Sequence, residues 1–387
     1  MPEKNELEEE KVFDLSAAQN IKDPRIESHI NLEGYTYLTS EAAKFLSSMK
    51  INYLSLYSIT HWEDGCAQEI ANFRGAALFL GLSELSASDA SFLSNHKCVL
   101  LHFSRLAKLS TEAAESLATE CCGRFHFDKL DSISESESHL KLVTALAHGQ
   151  YGIHMPKVAF LTPEFANAMS ATKKQVILGI KSLDSECASM IAKCQGFLEF
   201  DMLYQITPDV AKALSRHRGE TMKIGLEKMP LEVAEYLSRY LGSSLSIGRG
   251  GLYDCFDDFD RDFSCNINGR LLNNPDEQQK LEIIQEIIEF YSTNSPSMEA
   301  VRAICQFQGN VLNLDVVKYV SEEIAKVLSR FSGNRLSLGE IKYIDSAAAK
   351  LLSKYKGRLE ASQLPSFSEI PVPKELKSFI KKCAKRF

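Results

Sequence analysis

Residues 101–117 read Leu-His-Phe-Ser-Arg-Leu-Ala-Lys-Leu-Ser-Thr-Glu-Ala-Ala-Glu-Ser-Leu, and this stretch decides the fold. It begins with apolar residues at alternate positions, continues with apolar residues three apart, and ends in a Ser-Thr-Glu turn before an Ala pair. Related stretches recur with a period of about 23 residues, as at 125–133, 198–206, 312–320 and 336–344. A fixed period of this length is typical of a solenoid, in which each copy is one small structural unit.

The last apolar residue of each copy marks the register of the repeat. These residues are Leu38, Trp62, Leu85, Leu109, Ile133, Leu161, Leu183, Ile206, Met229, Leu252, Val320, Ile344 and Phe367. Counting them predicts about 13 repeats, interrupted once after Leu252.

Each copy predicts a strand, a turn and a short helix. Alternating apolar residues predict a strand with one buried face. A Ser, Thr or Asp with an acidic residue two positions later predicts the N-cap of a helix, and the Ala pair lets that helix lie close to the strands. Glycine predicts the end of the helix. The glycines at this position are Gly75, Gly123, Gly196, Gly219, Gly333 and Gly357.

These features resemble the leucine-rich-repeat superfamily, and within it the bacterial class known from treponemal-type surface repeats. The likeness covers roughly residues 30–370. It implies a curved α/β solenoid, with parallel strands on the concave face and short helices on the convex face. The family's usual turn Asn is missing, and an apolar residue such as Leu106 or Leu130 lies near its place. Gly or Asp follows the strand instead, as at Gly81, Asp128, Gly179, Asp201, Gly225, Asp315 and Gly339.

The register divides the chain into three parts. Residues 1–29 are polar and acidic and are predicted to form a lead-in and cap, and residues 30–370 form the solenoid. The register fails at about 253–296, where an acidic and aromatic stretch precedes a helical run through Ile287 and Tyr291. We interpret this stretch as an insertion that can contact a partner. Residues 371–387 predict a C-terminal capping helix.

Composition narrows the class of protein. The chain has 387 residues and a net charge of −7 without a basic block, which argues against a nucleic-acid partner. It has no apolar stretch long enough to span a membrane and no secretory signal. Its 10 cysteines lack CxxC pairs, so we expect buried, reduced thiols and a cytoplasmic protein. A processed form without its signal peptide would instead be secreted or surface-attached, as relatives of the repeat class often are.

The chain also lacks the common catalytic motifs. It contains no GxSxG, no HExxH and no phosphate-binding glycine loop followed by a helix. The repeats leave too few residues for a separate catalytic domain. The sequence therefore predicts a protein that is not an enzyme.

The residue between the two leading apolar positions of each strand is predicted to face solvent. This outward row reads Asn31, Ser55, Phe79, His102, His126, His154, Ile177, Glu199, Lys223, Ser246, Asn313, Ser337 and Glu360. Its mixture of aromatic, apolar and charged residues is typical of a protein-binding surface. We therefore predict an interaction scaffold that binds a protein partner of unknown identity through its concave face. The predicted contact residues are Phe79, His102, His126, His154, Ile177, Phe197, Glu199 and Lys223.

Three successive histidines in that row suggest an alternative function. His102, His126 and His154 could bind zinc, with Asp128 as a fourth ligand or a partner of one imidazole. They could also form a solvated ladder that titrates near the ordinary histidine pKa of about 6.5. The alternative is thus a metal- or pH-responsive binding protein that otherwise needs no cofactor. A hydrolase built on the same residues ranks last.

Overall fold

The computed structural model describes residues 11–21, 29–119, 124–248, 277–339 and 341–361. The chain divides into two compact units, Met1–Ile180 and Lys181–Phe387, called here the N-terminal and the C-terminal unit. In both units, short parallel strands alternate with short helices along the chain.

The N-terminal unit contains two sets of parallel strands. Its strands are β1 (Val12–Phe13), β2 (His29–Asn31), β3 (Tyr37–Leu38), β4 (Tyr53–Leu56), β5 (His61–Trp62), β6 (Ala77–Leu80), β7 (Leu100–Phe103), β8 (Phe125–Phe127), β9 (Gly152–Met155) and β10 (Gln175–Leu178). Its helices are α1 (Leu15–Gln19), α2 (Ser40–Ser48), α3 (Cys66–Ile70), α4 (Ala87–Ser94), α5 (Thr111–Thr119), α6 (Glu137–His148) and α7 (Pro163–Met169). Strands β2, β4, β6, β7 and β8 form one sheet, β9 pairs with β10, and β1, β3 and β5 form a small sheet on the turn side.

The C-terminal unit repeats this arrangement. Its strands are β11 (Leu198–Phe200), β12 (Thr221–Ile224), β13 (Ser244–Ile247), β14 (Val311–Leu314), β15 (Tyr319–Val320), β16 (Arg335–Ser337), β17 (Tyr343–Ile344) and β18 (Arg358–Glu360). Its helices are α8 (Ser185–Ile191), α9 (Pro208–Leu214), α10 (Leu231–Leu237), α11 (Glu277–Thr293), α12 (Met298–Ile304), α13 (Glu322–Leu328) and α14 (Ser346–Leu352). Strands β11, β12, β13, β14, β16 and β18 pair in that order, and β15 pairs with β17.

The pairing register follows the sequence repeat. In the N-terminal unit Ser55 pairs with Phe79, and Phe79 pairs with His102. In the C-terminal unit Glu199 pairs with Lys223, and Lys223 with Ser246. Equivalent residues of successive repeats therefore lie side by side, and the predicted α/β repeat solenoid is confirmed in each unit.

The helix caps and the Ala pairs take the predicted positions. Thr39 Oγ1 accepts a hydrogen bond from the Ala42 amide at 3.3 Å, and Asp184 Oδ1 accepts one from the Cys187 amide at 2.7 Å. Ala42 and Ala43 are fully buried, as are Ala113–Ala114 and Ala348–Ala349. The small side chains thus bring each helix close to the strand layer.

The repeat glycines have a different role from the predicted one. Among the described residues, φ is positive at Gly34, Gly65, Gly152 and Gly248, and none of these follows a helix directly. Gly333 instead lies several residues beyond α13, where a Cβ would overlap the ring of Phe331 and approach the Asn310 carbonyl. The glycine is needed because an aromatic ring two residues earlier fills the space between repeats.

These rings also connect successive repeats. The hydroxyl of Tyr240 donates to the Gly219 carbonyl at 2.6 Å, and the hydroxyl of Tyr355 donates to the Gly333 carbonyl at the same distance. The rings of Tyr240 and Phe307 are parallel, with centroids 6.0 Å apart. An aromatic residue followed by x-Gly is therefore part of this repeat.

The ends and the insertion are described only in part. Residues 11–21 of the predicted lead-in form β1 and α1, and β1 pairs with β3 in the turn-side sheet. The predicted C-terminal helix at 371–387 and the acidic part of the insertion lie outside the described residues. The helical run of the insertion is confirmed as α11, which buries Ile283, Ile287 and Tyr291 beside the turn-side tyrosines of β15 and β17. Among the described helices, none is long and apolar enough to cross a membrane.

Candidate functional site

The outward row of the N-terminal unit forms a strip of stacked rings. The centroids of Phe79 and His102 are 4.5 Å apart, with ring planes 20° from parallel. His102 and His126 meet edge to face at 4.8 Å, and His126 stacks on His154 at 4.5 Å. We call Phe79, His102, His126 and His154 the ring row. The predicted juxtaposition of the three histidines is therefore present, and Ile177 continues the row because it pairs with His154.

The inner imidazoles of this row are uncharged at neutral pH. His126 is only 8% exposed. Burial, together with the neighbouring imidazoles of His154 and His102, lowers the pKa of His126 to about 3. Burial also lowers the pKa of His102, although Asp128 opposes this effect. Phe79, His102 and His126 thus present neutral rings, where the sequence suggested a solvated, titrating ladder.

Asp128 holds one end of the ring row. Its Oδ1 atom lies 3.3 Å from Nε2 of His154. Burial would raise the pKa of Asp128, but the hydrogen bond from His154 and the nearby imidazoles outweigh burial and lower it. The ionised carboxylate therefore accepts a hydrogen bond from Nε2–H of His154. Nδ1 of His154 and Nε2 of His126 are shielded from solvent and have no hydrogen-bond partner among the described residues.

The four predicted zinc ligands lie side by side instead of around a common point. A metal ion must lie in the plane of each imidazole that binds it. The planes of His126 and His154 are within 18° of parallel, so they do not converge on one ion. Among the described residues, no group of three or more His, Cys, Asp and Glu side chains is arranged to hold a metal ion. A zinc site therefore stays a prediction that requires one imidazole to rotate out of the stack.

Two tyrosines extend the ring row on the same face. Tyr53 and Tyr57 are 44% and 45% exposed and lie two residues to either side of Ser55, which shares the row with Phe79. The guanidinium of Arg105 lies over the Tyr57 ring at 4.6 Å. Neither tyrosine was among the predicted contact residues. Alternation along the strand was the signal that could have found them.

The equivalent face of the C-terminal unit is built from ion pairs. Nζ of Lys223 lies 2.8 Å from Oε1 of Glu199 and 3.0 Å from Oδ2 of Asp201. Burial and the adjacent Glu199 raise the pKa of Asp201 to about 6. Burial would lower the pKa of Lys223, but its two carboxylates raise it. We call these three residues the lysine cluster, and Phe197, which is half-buried, precedes the same strand as Glu199.

A second charged cluster lies at the far end of this face. Nε of Arg335 donates to Oε2 of Glu360 at 2.8 Å, and Nε of Arg358 lies 2.6 Å from Oε1 of the same carboxylate. Between the two clusters the outward row consists of the small polar residues Ser246, Asn313 and Ser337. Of the predicted contact residues, Phe197, Glu199 and Lys223 thus belong to a charged face and the other five to a face of rings.

The cysteine contacts lie in the interior. Sγ of Cys98 lies 3.1 Å from Nδ1 of His96, and both residues are buried. Burial lowers the pKa of His96 to about 4 and raises the pKa of Cys66 and of Cys194 to about 12. These thiols stay protonated and inaccessible, so the contacts are structural.

Comparison with known proteins gives similarities of fold only. No protein-family model matches the chain, and no curated protein matches it. Among solved structures, an internalin from Listeria monocytogenes is 13% identical, with 88% of this chain and 81% of that chain covered and a TM-score of 0.44. A chain of the Rad7–Elc1 complex of yeast is 10% identical, with 84% and 79% covered and a TM-score of 0.48. A leucine-rich-repeat protein of Leptospira interrogans is 14% identical, with 95% and 85% covered and a TM-score of 0.38.

The repeat period and the in-register parallel strands define the class of fold. Each unit is an α/β solenoid with the repeat period and the strand, turn and short-helix order of the leucine-rich-repeat fold. The treponemal-type subclass stays a prediction.

Proposed function

We propose that this chain binds a protein partner mainly through the strand face of its N-terminal unit and performs no catalysis. The observation that carries the proposal is the ring row together with the exposed rings of Tyr53 and Tyr57. Tyrosine and arginine are enriched among the residues that contribute most to binding at protein interfaces. Arg105 and Tyr57 supply one residue of each type, and the guanidinium of Arg105 already lies over the Tyr57 ring.

The cost of desolvation supports the choice of face. Neutral stacked rings can be covered by a partner without the loss of charge solvation. The lysine cluster would have to lose its remaining water, and its charged groups already bind one another. We therefore place Phe79, His102, His154 and Ile177 at the centre of the contact. Glu199, Lys223 and Phe197 form a secondary contact that adds less affinity.

The chemistry of the ring row supports a function without catalysis. A general base at neutral pH needs a pKa near 7 and access to the substrate. His126 has neither, since burial lowers its pKa to about 3 and leaves it almost inaccessible. His126 therefore cannot serve as the general base of a hydrolase at neutral pH.

The described cysteines support a reducing compartment. Cys66 and Cys194 are free and buried. Free cysteines are common where thiols are kept reduced, and disulfides are common where they are not. We propose on this basis that the protein works in the cytoplasm.

Affinity capture from the native cell, followed by mass spectrometry, tests the binding proposal. The test variant combines Tyr53→Glu with Phe79→Glu on the proposed face. The matched control combines Phe92→Glu with Leu231→Glu, two helix residues that are each 41% exposed. We expect the control to recover the same partner as the wild type and the test variant to recover at least about tenfold less, because two anchor residues are lost. Equal recovery by both variants would overturn the proposed face.

The second candidate is a metal- or pH-responsive binding protein. The contact between Asp128 and His154 favours it, because carboxylates often orient metal-binding imidazoles in this way. Zinc should then raise the melting temperature of the wild type but not that of a His102→Ala, His126→Ala, His154→Ala variant. An unchanged melting temperature and no zinc in the purified wild type would remove the metal proposal.

A further inference from the structure

The ring row and the two tyrosines beside it form a strip that crosses the strands. On β4 the small side chain of Ser55 lies between the exposed rings of Tyr53 and Tyr57. The next two strands add the half-buried rings of Phe79 and His102, which stack on each other. Strands β4 and β7 are two positions apart in the sheet, so their backbones are about 9.6 Å apart.

The same interval leads from His102 to His154. His126 lies between them and is buried, whereas His154 is half-buried. The centroids of His102 and His126 are 4.8 Å apart, and those of His126 and His154 are 4.5 Å apart. His154 is thus two stacking distances from His102, as β7 is two strands from β4. A ligand that repeats its contacts at this interval meets Ser55, His102 and His154 in turn.

This geometry disfavours a strand or a helix as the bound segment. An added strand would have to pair with backbone groups, but those of β4, β6 and β7 already pair with one another. The side chains on one side of a strand recur every 6.6 Å or so, which matches neither one nor two strand spacings. A helix would press an apolar stripe about 100° wide against the Asp128 carboxylate, which lies beside the ring row.

We propose that this strip binds a proline-rich segment of the protein partner in the polyproline II conformation. Such a segment has three residues per turn and rises about 3.1 Å per residue, so residues i and i+3 lie on the same side, about 9.3 Å apart. This repeat matches two strand spacings. Prolines at i, i+3 and i+6 therefore lie over Ser55, His102 and His154. The inference rests on the proposed function and adds the chemical class of the segment that is bound.

The chemistry of the strip suits such a segment. Proline-rich segments bind to aromatic surfaces because their conformation is preformed and little entropy is lost on binding. Phe79, His102 and His126 present neutral rings, which can pack against proline rings without the loss of charge solvation. The carbonyls of a polyproline II helix have no internal hydrogen bonds, and the exposed hydroxyls of Tyr53 and Tyr57 can donate to them.

Direct binding of defined peptides tests the inference. The first probe is fluorescein-labelled decaproline, and its reference is a flexible Gly-Ser peptide of the same length with the same label. We expect the wild type to bind decaproline at least about tenfold more tightly by fluorescence anisotropy, because the probe is preformed and apolar.

Two heptapeptides of identical composition test the spacing. Pro-Gln-Gln-Pro-Gln-Gln-Pro has its three prolines on one side of a polyproline II helix, whereas Gln-Pro-Gln-Pro-Gln-Pro-Gln distributes them around the helix. We expect the first peptide to bind at least about threefold more tightly, because only its prolines can contact the strip together.

Matched variants locate the binding site on the strip. The test variant Tyr53→Ala, Tyr57→Ala removes two exposed rings and should bind decaproline at least about tenfold more weakly. The control Phe92→Ala, Tyr236→Ala removes one ring each from α4 and α10 and should keep the wild-type affinity within about twofold. Arg239 lies over the Tyr236 ring at 5.1 Å, as another arginine lies over Tyr57, so both variants lose one such contact. If the melting temperature of the test variant falls, Tyr53→Phe with Tyr57→Phe replaces it and should lose about threefold in affinity, because only the hydroxyls are removed.

Several outcomes would overturn the inference. They are no binding of decaproline by the wild type, an equal loss in the test and control variants, or equal affinity for the two heptapeptides. Unlabelled decaproline added during the affinity capture distinguishes this failure from failure of the proposed function. If decaproline does not release the partner, although the Tyr53→Glu, Phe79→Glu variant fails to recover it, the face is right and the proline-rich segment is wrong. If that variant recovers the partner as the wild type does, the proposed function itself is wrong.

Discussion

The strands of the two units pair in the same register, but their outward faces differ in charge: one carries neutral rings and the other carries ion pairs. In the N-terminal unit the outward residues are neutral rings that stack across neighbouring strands, as in Phe79, His102 and His126. In the C-terminal unit they are charged residues that pair across neighbouring strands, as in Glu199 and Lys223. A parallel in-register repeat fixes which side chains are neighbours but leaves their chemical type free. The period therefore determines the scaffold, and the outward residues distinguish the binding faces.

The two faces also respond to acid in opposite directions. His126 has a folded-state pKa of about 3, below its ordinary value, so its contribution to stability is lost as pH falls below the ordinary histidine range. Asp201 has a folded-state pKa of about 6, above its ordinary value. Its contribution is unfavourable above that pKa, and the penalty is relieved as pH falls. Mild acid should therefore weaken the ring row and relieve the lysine cluster.

The largest expected effect is in the lysine cluster. Lys223→Met leaves the carboxylates of Glu199 and Asp201 close together, mostly buried and without their cation. We expect a loss of about 3 kcal/mol in the free energy of unfolding, measured by urea denaturation at neutral pH. Part of this loss should be recovered at lower pH, where one carboxylate takes up a proton.

A matched substitution on a helix checks that the effect is local. Lys212 is an exposed residue of α9, and Lys212→Met should change the free energy of unfolding by less than about 0.5 kcal/mol. Similar losses in both variants would show that the lysine cluster contributes nothing beyond a surface lysine.

The next largest effect concerns the buried imidazole of the ring row. His126→Phe keeps a ring in the stack and removes Nε2, a shielded atom without a hydrogen-bond partner among the described residues. We expect neutral to slightly higher stability at neutral pH. Between about pH 7 and pH 5 the wild type should lose about 2 kcal/mol more than the variant, because the unfolded histidine takes up a proton that the folded one does not.

The stability of both proteins is measured by thermal denaturation across this pH range. The His126→Ala variant is the control. The alanine variant also removes the titrating group but leaves a cavity, so it should lose about 2 kcal/mol at neutral pH. If the melting temperatures of the wild type and the His126→Phe variant change with pH in parallel, the proposed burial of a neutral imidazole is contradicted.

A smaller effect of opposite sign is expected for Asp201→Asn. The substitution removes one of two carboxylates that share Lys223 and leaves the pair of Glu199 and Lys223. We expect the variant to be as stable as the wild type at neutral pH or more stable by about 1 kcal/mol. This advantage should shrink as pH falls from about 7 to 5, in differential scanning calorimetry. An advantage that grows on acidification would show that burial does not raise the pKa of Asp201.

Much of the fold could be predicted, because the repeat encodes it locally. The alternation at Leu101 and Phe103 defines β7, and the cap and the Ala pair Ala113–Ala114 define α5. The short turn-side strands, such as Tyr37–Leu38 and Tyr343–Ile344, were not predicted, because two residues carry no periodic signal. The role of the repeat glycines was predicted wrongly, since it depends on a ring of the same turn and not on backbone φ.

The candidate site could be predicted only as a set of neighbours. The period indicated that His102, His126 and His154 adjoin, since parallel strands place equivalent residues together. Whether their rings stack or converge on a metal depends on side-chain rotamers, which the period does not encode. The contact between Arg105 and Tyr57 joins residues two repeats apart, and no local pattern indicates it.

The smallest effect is expected in the cluster of Arg335, Arg358 and Glu360, in which the charge signs of the lysine cluster are exchanged. Lys223 is one cation between two carboxylates, whereas Glu360 is one carboxylate between two arginines. Arg335→Ala should cost only about 0.5 kcal/mol, because Arg335 is 44% exposed and Arg358 still neutralises the carboxylate. Replacing both arginines should cost clearly more than the sum of the two single changes, since only then is Glu360, which is 14% exposed, left without a cation. Urea denaturation of the two single variants and the double variant measures this coupling, and strictly additive losses would show that Glu360 is solvated like any surface carboxylate.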